Sequence, residues 1–295
     1  MARAEPAIRP LGPSDTRAAL ELLDARPIQN VLLHHLVQAG ALGRMASFFG
    51  CERDGRLDAI MMVGVMGGSS LELREPDVLA PLAAWARSLR PRPRHLTGAE
   101  DVMLPFWQEY SKLADPLLWE RRERVYVLSR ERFRSSCPSG VRIPELRPAI
   151  ARDLSQVIDN SAQQHREDLK EDRYQIDPGG FRNRHRNELL EGHWWVLETG
   201  GEVLFQVHVG PHSPQVIQLG GVFTPVSLRG RGYATRALRA LATHLLESYP
   251  AVSLFCDESN ATACRLYERV GFEHVFYNRS YLLRCPPDTY LPGYL

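Results

Sequence analysis

The chain of 295 residues sets 36 lysines and arginines against 35 aspartates and glutamates, a formal net charge of +1. So close a balance excludes the broad basic surface of a nucleic-acid binder, and no apolar run reaches the roughly 18 residues that cross a membrane. With 44% of residues hydrophobic, there is core material for two domains at roughly 100–200 residues each.

The opening MARAEPAIRPLGPSD lacks the apolar segment of a signal peptide. Residues 15–40 have helical periodicity, interrupted at Pro27. Strands are expected over 47–52 and 58–66, joined through the hairpin dipeptide Asp54-Gly55, with a further break at Gly67-Gly68. A strand Leu71-Glu72-Leu73 leads through Arg74-Glu75-Pro76-Asp77 into an amphipathic helix over 77–89. A second helix covers 101–112, and Val125–Leu128 gives a short strand. His34 and His35 are adjacent on a helix and so face different directions, which does not make a metal site. Near 133–142 the period is lost in Ser, Pro and Gly, as in a linker.

After the linker the pattern restarts. Arg147-Pro148 precedes the helix ARDLSQVIDNSA as Arg9-Pro10 precedes the first one. The stretch Trp194–Gly201 echoes Phe48–Gly55, and Asn278–Arg284 echoes Arg124–Arg130. Two diverged copies of one α+β fold are expected, an N-terminal domain over 1–135 and a C-terminal domain over 143–295. Between Gln163 and Gly192 lies a charged insert of helical character, split at Pro178-Gly179-Gly180. It reads as a solvated helix pair or as a cap over a cleft, and its run HREDLKED could draw in a cationic amine. The five cysteines, Cys51, Cys137, Cys256, Cys264 and Cys285, show no CxxC pair. They fit small buried hydrophobes in a reducing cytoplasm, without a disulfide framework or a metal.

The chemistry concentrates after residue 216. The strand Val216–Thr224 contains Gly220 and Gly221, and a glycine inside a strand marks a bulge or a close approach. Pro225 ends it. The loop Arg229-Gly230-Arg231-Gly232-Tyr233-Ala234-Thr235 then opens a helix with Ala234, Ala237, Leu238, Leu241 and Leu245 on one face. A helix N-terminus offers unsatisfied N–H groups and a partial positive charge, and glycines let the backbone come close. This is an anion site suited to phosphate, to which Arg229 and Arg231 would add charge-assisted contacts. The Walker ending Gly-Lys-Ser/Thr is absent, and the spacing is not that of GxGxxG. A strand Val252–Cys256 follows, then a helix from Asn260 to Val270 with Gly271 as its C-cap, then a last strand from Phe272.

Arg229-x-x-Gly232-x-Ala234 resembles the (Arg/Gln)-x-x-Gly-x-(Gly/Ala) loop of the GCN5-related N-acetyltransferases (GNAT). Asn260–Phe272 resembles their closing N-x-x-A-x-x-L-Y-x-x-x-G-F. The resemblance covers about residues 145–284, and the whole chain resembles the tandem-domain type with a degenerate N-terminal copy. It implies two domains, each a mostly antiparallel twisted sheet flanked by helices, and direct transfer of acetyl from acetyl-coenzyme A to a small-molecule or peptide amine. It places Val222, Phe223 and Thr224 beside the pantetheine arm and the loop 229–235 on the pyrophosphate. Asn260 then touches the cofactor or caps its helix, and Tyr267 protonates the departing thiolate or is a core aromatic. The general base stays open among Glu202, His208, His212, Asp257 and Glu258, because Phe255 stands where some relatives carry a glutamate. The N-terminal copy, with Arg74-Glu75-Pro76-Asp77 in place of the glycine loop, is not expected to hold coenzyme A. A non-catalytic coenzyme A-binding regulator and a transferase of another acyl or aminoacyl group are the competing expectations.

Overall fold

The computed structural model describes residues 6–284 apart from 45–46, 65–66, 91, 114–115, 137–142, 144 and 170–171. In chain order the elements are β1 (Ala7–Pro10), α1 (Thr16–Leu23), α2 (Val31–Gln38), β2 (Ser47–Arg53), β3 (Arg56–Val63), β4 (Gly68–Leu73), α3 (Leu79–Ser88), β5 (His95–Ala99), α4 (Glu100–Tyr110) and β6 (Leu117–Ser129). They continue as α5 (Arg130–Ser136), β7 (Leu146–Pro148), α6 (Leu154–Leu169), α7 (Arg173–Ile176), α8 (Pro178–Leu190), β8 (Trp194–Thr199), β9 (Glu202–His212), β10 (Val216–Phe223), α9 (Tyr233–Ser248), β11 (Ala251–Asp257), α10 (Ala261–Val270) and β12 (Glu273–Leu283). Two compact units result, one of residues up to Val125 together with those from Val275, the other of Tyr126–His274. Most of the expected linker, 137–142, lies outside the described residues.

In the first unit the strand order is β1-β2-β3-β4-β5-β12-β6. The hairpin between β2 and β3 turns on Asp54 and Gly55, both at positive φ (51° and 74°), as a tight two-residue turn between twisted strands requires. Along β3, successive side chains serve opposite faces. Ala59, Met61 and Val63 pack toward α3 and α4, while Ile60 and Met62 pack toward α1 and α2, joined by Leu57 from beyond the register shift against β2. Five residues of β12, Asn278–Leu282, pair antiparallel with Ala99–His95 of β5. The last strand, which the sequence division keeps with the second domain, thus ladders within the first unit.

In the second unit the order is β6-β11-β10-β9-β8-β7. One face is covered by α9 and α10 through Leu238, Leu241, Leu245, Tyr267 and Val270. The other is covered by α6 and α8 through Val157, Leu189, Trp194 and Val196. Gln206, fully buried in β9, donates to Ser161 Oγ at 3.0 Å and so ties α6 to the sheet. Two expectations need correction. Val125–Leu128 is the latter part of a 13-residue strand, and Pro178-Gly179-Gly180 opens a helix instead of splitting one. Proline is tolerated in a first turn, and Asp177 caps it by accepting from Gly180 N at 2.9 Å.

Candidate active site

In each unit a parallel strand pair parts partway along its length. In the second unit β10 and β11 pair over Val216–Gln218 and Ala251–Ser253, and there the ladder ends, although β10 runs on to Phe223 and β11 to Asp257. On its other edge β10 shifts register against β9 between Ile217 and Leu219, and again between Gly220 and Phe223. Gly221 sits in the second irregularity at φ +57°, and a Cβ there would meet the Trp194 ring at 2.8 Å. Glycine is therefore fixed at 221 by both conformation and space. The bulge falls beyond the end of the β10–β11 ladder, and a bulge bends the strand that carries it.

The loop predicted to hold an anion follows at once. Gly230 and Gly232 have φ of +79° and +81°, and nothing lies within 4 Å of a Cβ at either. The left-handed backbone, not crowding, selects glycine here, and open space stands over both. Gly232 is the N-cap of α9, so Tyr233, Ala234 and Thr235 form the first turn, where N–H groups lack intrahelical partners. Arg229 is folded back beneath the loop. Its Nε donates to Thr224 O at 3.0 Å, an Nη donates to Glu167 Oε2 at 2.7 Å, and its guanidinium stands 5.3 Å from the centre of the buried Phe223 ring. Arg231 is exposed and donates to Ser227 O. The Val222 carbonyl accepts from Gln164 Nε2 at 3.3 Å. Glu167 and Gln164 lie on α6, and the sequence alone gave no reason to join that helix to the loop.

Asn260 is the exposed N-cap of α10, its Oδ1 accepting from Ala263 N at 3.0 Å. Tyr267 is buried, edge-on to Tyr126 and Phe272. Burial holds its phenol well above the usual tyrosine range, with Cys256, Asp168 and Cys264 close enough to add to the effect.

The five candidate bases do not converge. Glu202 lies at the β8–β9 turn, His212 packs against Tyr249, Asp257 accepts from Ser259, and Glu258 is exposed in the turn before α10. His208 alone is registered against the glycines of β10, opposite Gly220. Burial pushes its pKa down to about 4, so it is neutral at pH 7. Its Nε2 stands 3.9 Å from Glu188 Oε2, too far for a hydrogen bond. Glu188, on α8, accepts from Trp194 Nε1 at 3.0 Å, and burial raises its pKa. Glu188 was invisible in the sequence as a site residue, since a carboxylate in a charged helix looks like any solvated one. Separately, a groove of about 460 Å³ runs along α6 and α7, lined by Asp159, Asn160, Gln163, Arg166, Asp172 and Tyr174 among others.

The first unit repeats the parting, since β4 and β5 pair only at Gly68–His95 and Ser69–Leu96. There the opening is spanned by charge. Arg26 bridges Glu72 at 3.3 Å and Asp101 at 2.8 Å. No glycine precedes α3, and Asp77 is paired with Arg53 at 2.8 Å.

The family model of the acetyltransferase (GNAT) family matches residues 156–272. Over those residues the chain is similar to the GNAT family. Over 97 residues the chain is 34% identical to a mycothiol acetyltransferase of Streptomyces scabiei, which is 33% of this chain and 28% of that relative. The chain thus spans less than a third of the curated relative it matches. Solved structures extend the GNAT likeness over nearly the whole chain. A tandem GNAT protein from the clavulanic acid biosynthesis pathway is 13% identical with a TM-score of 0.59, covering 96% of this chain and all of that one. A GCN5-related N-acetyltransferase from Sphaerobacter thermophilus gives 0.61 at 14% identity, over 95% of this chain and 96% of its own. The architecture is therefore a tandem GNAT fold, two mixed α and β units with mostly antiparallel sheets flanked by helices. Among the described residues no helix is long and apolar enough to cross a membrane, and no cluster of metal-ligating side chains occurs.

Proposed function

We propose that the second unit transfers an acetyl group from acetyl-coenzyme A to an amine, without a covalent enzyme intermediate. The observation that carries the reading is the parting of β10 from β11 directly before a left-handed glycine loop at the start of α9. A strand that has left its neighbour's ladder accepts an extended amide chain as an added strand would, so Val222, Phe223 and Thr224 hold the pantetheine arm, with the side-chain contacts of Gln164 to Val222 O and of Arg229 to Thr224 O giving way where the arm needs them. Gly230, Arg231, Gly232, Tyr233, Ala234 and Thr235 present N–H groups and the helix N-terminus to the pyrophosphate, in the open space above the two glycines. Arg229 joins them by giving up Glu167. Asn260 shapes the turn that starts α10.

Acetyl-coenzyme A supplies the thioester carbonyl, and a backbone N–H at the β10 bulge polarises it. The amine attacks that carbon, the C–S bond breaks, and the thiolate takes a proton from Tyr267, whose buried phenol is protonated at neutral pH but is a weaker acid than an exposed one. Glu188 takes the amine proton. Its pKa is raised toward the operating pH, the Trp194 indole orients it, and neutral His208 stands beside it. The groove along α6 and α7, with Asp159 in its wall beside the Arg166–Asp172 ion pair, is offered as the site of a polar amine, a small molecule or a peptide end.

The test is calorimetric titration of acetyl-coenzyme A into the wild type and into an Arg229→Ala/Gly232→Asp double variant. Binding by the wild type and a loss of at least about a hundredfold in the variant are expected, since the change removes one cation and sets an anion at the helix N-terminus. No binding by the wild type would overturn the reading. A panel of amines, followed by thiol release, then separates a transferase from a silent binder.

A further inference from the structure

Cys256 and Cys264 are eight positions apart and share no motif, so the sequence gives no reason to couple them. The fold brings their Sγ atoms to 3.7 Å. Cys256 is the penultimate residue of β11, where that strand has already parted from β10, and Cys264 is in the first turns of α10. The turn between them is tightly held. Asn260 N donates to Asp257 O at 3.0 Å, Ser259 N donates to Asp257 Oδ1 at 2.8 Å, and Asn260 caps Ala263. The helix is thereby folded back onto the strand end. Both cysteines are thiols, Cys256 half-buried and Cys264 buried at 7% exposure. Both also lie close enough to the Tyr267 phenol to perturb it electrostatically.

We infer that Cys256 and Cys264 form a reversible dithiol–disulfide pair that throttles the acetyl-transfer site. A disulfide needs the sulfurs at about 2.05 Å, so the pair closes by side-chain rotation and a small approach of α10 to β11. The oxidant is a small disulfide, RSSR. Cys256, the more exposed thiol, loses its proton and attacks one sulfur of RSSR, forming a mixed disulfide and releasing RS⁻. Cys264 then loses its proton and attacks Cys256 Sγ, releasing the second RS⁻. Two S–H bonds become one S–S bond, the two protons go to the two released thiolates, and RSSR is reduced to two RSH. The bond ties the end of β11 to the start of α10 around a seven-residue turn. It thereby fixes the end of β11 against the helix that carries Tyr267, which the preceding proposal makes the proton donor to the leaving thiolate. The effect on transfer rests on that proposal, while formation of the bond does not.

The experiment equilibrates the folded, full-length protein in glutathione buffers of rising oxidised fraction. Peptide mapping by mass spectrometry then reads a Cys256–Cys264 link apart from any link through Cys51, Cys137 or Cys285. The expected result is that link, reversed by dithiothreitol, with a fall of about tenfold or more in acetyl-coenzyme A affinity or turnover. Cys264→Ser should give only a glutathione adduct on Cys256, and Cys256→Ser no link at all. Failure of the link to form in the folded wild type overturns the inference, and so does a link that leaves affinity and turnover unchanged. If reduced protein does not bind acetyl-coenzyme A, the acetyl-transfer reading and the throttling role fall together, and the peptide map still decides the dithiol pair.

Discussion

Glu188 has the environment that a general base requires. It is partly buried, its carboxylate is raised by desolvation, and one oxygen is fixed by the Trp194 indole at 3.0 Å. Glu188→Gln keeps the shape and loses the basicity. The expected outcome is a fall of about 10²–10⁴-fold in kcat with little change in the affinity for acetyl-coenzyme A. The wild type should lose activity as pH falls through the raised Glu188 pKa, because only the carboxylate accepts a proton. In the variant that acid limb should be gone, and a pH–rate profile with the limb intact would reassign the base. The contrast with Gly232 shows why some of this site was legible. A left-handed φ of +81° leaves glycine as the ordinary choice, so loop geometry writes itself into the letters. A carboxylate that becomes a base only through its neighbours writes nothing. Arg229 lies between these cases, because its place in the loop was readable and its resting contact with Glu167 was not.

At the scale of elements, the charged insert is more than a solvated helix pair. A file of rings joins α6, α8, β8 and β9, with His165 against Phe181 (5.4 Å between ring centres), Phe181 against His185 (4.2 Å), His185 against Trp194 (5.4 Å) and Trp194 against His208 (5.0 Å). The histidines vanish into the polar count of a sequence window, which is why the periodicity of 163–192 failed to announce a packed face. Burial pushes His165, His185 and His208 down to about 4. An unfolded histidine protonates near pH 6.5. Between about pH 6.5 and 4 the unfolded chain therefore binds protons that the folded one refuses, and stability falls as pH is lowered through that window. The slope is at most about 1.4 kcal/mol per pH unit for each ring. His185, with Arg184 as its charged neighbour and a 2.8 Å contact to Phe181 O, is the most enclosed of the three. His185→Phe should make the dependence of the unfolding free energy, measured with urea, on pH shallower by up to that amount between pH 6.5 and 4, whatever it does to stability at pH 7. An unchanged slope would mean that the ring file is not closed to protons.

At the scale of the whole molecule, the duplicated fold was readable from the order of elements, while the path of the last strand was not. Asn278–Arg284 echoes Arg124–Arg130 in letters, and an echo says that a strand exists without saying which strand it joins. β5 supplied no warning, because His95-Leu96-Thr97-Gly98-Ala99 lacks an apolar alternation strong enough to mark a strand. In the fold, β12 pairs with β5 over five residues. Tyr281 is fully buried, stacked on Trp107 at 4.5 Å, and Leu283 is 1% exposed in the same core. The first unit, although most of it comes first in the sequence, is therefore incomplete until Asn278–Leu283 are made. Truncating Tyr281 to alanine should cost about 3–5 kcal/mol, in the range of other large aromatic deletions from cores. The loss belongs to the first unit, so the fluorescence of Trp107 should change at lower urea than in the wild type. Acetyl-coenzyme A binding, which we assign to residues of the second unit, should survive that first transition. Two separate transitions in the variant, the earlier one seen by Trp107 and the later one by loss of acetyl-coenzyme A binding, are the expected result. Coincident loss of both signals would mean that the second unit depends on the first for its own fold, and that duplication here produced one folding unit from two copies.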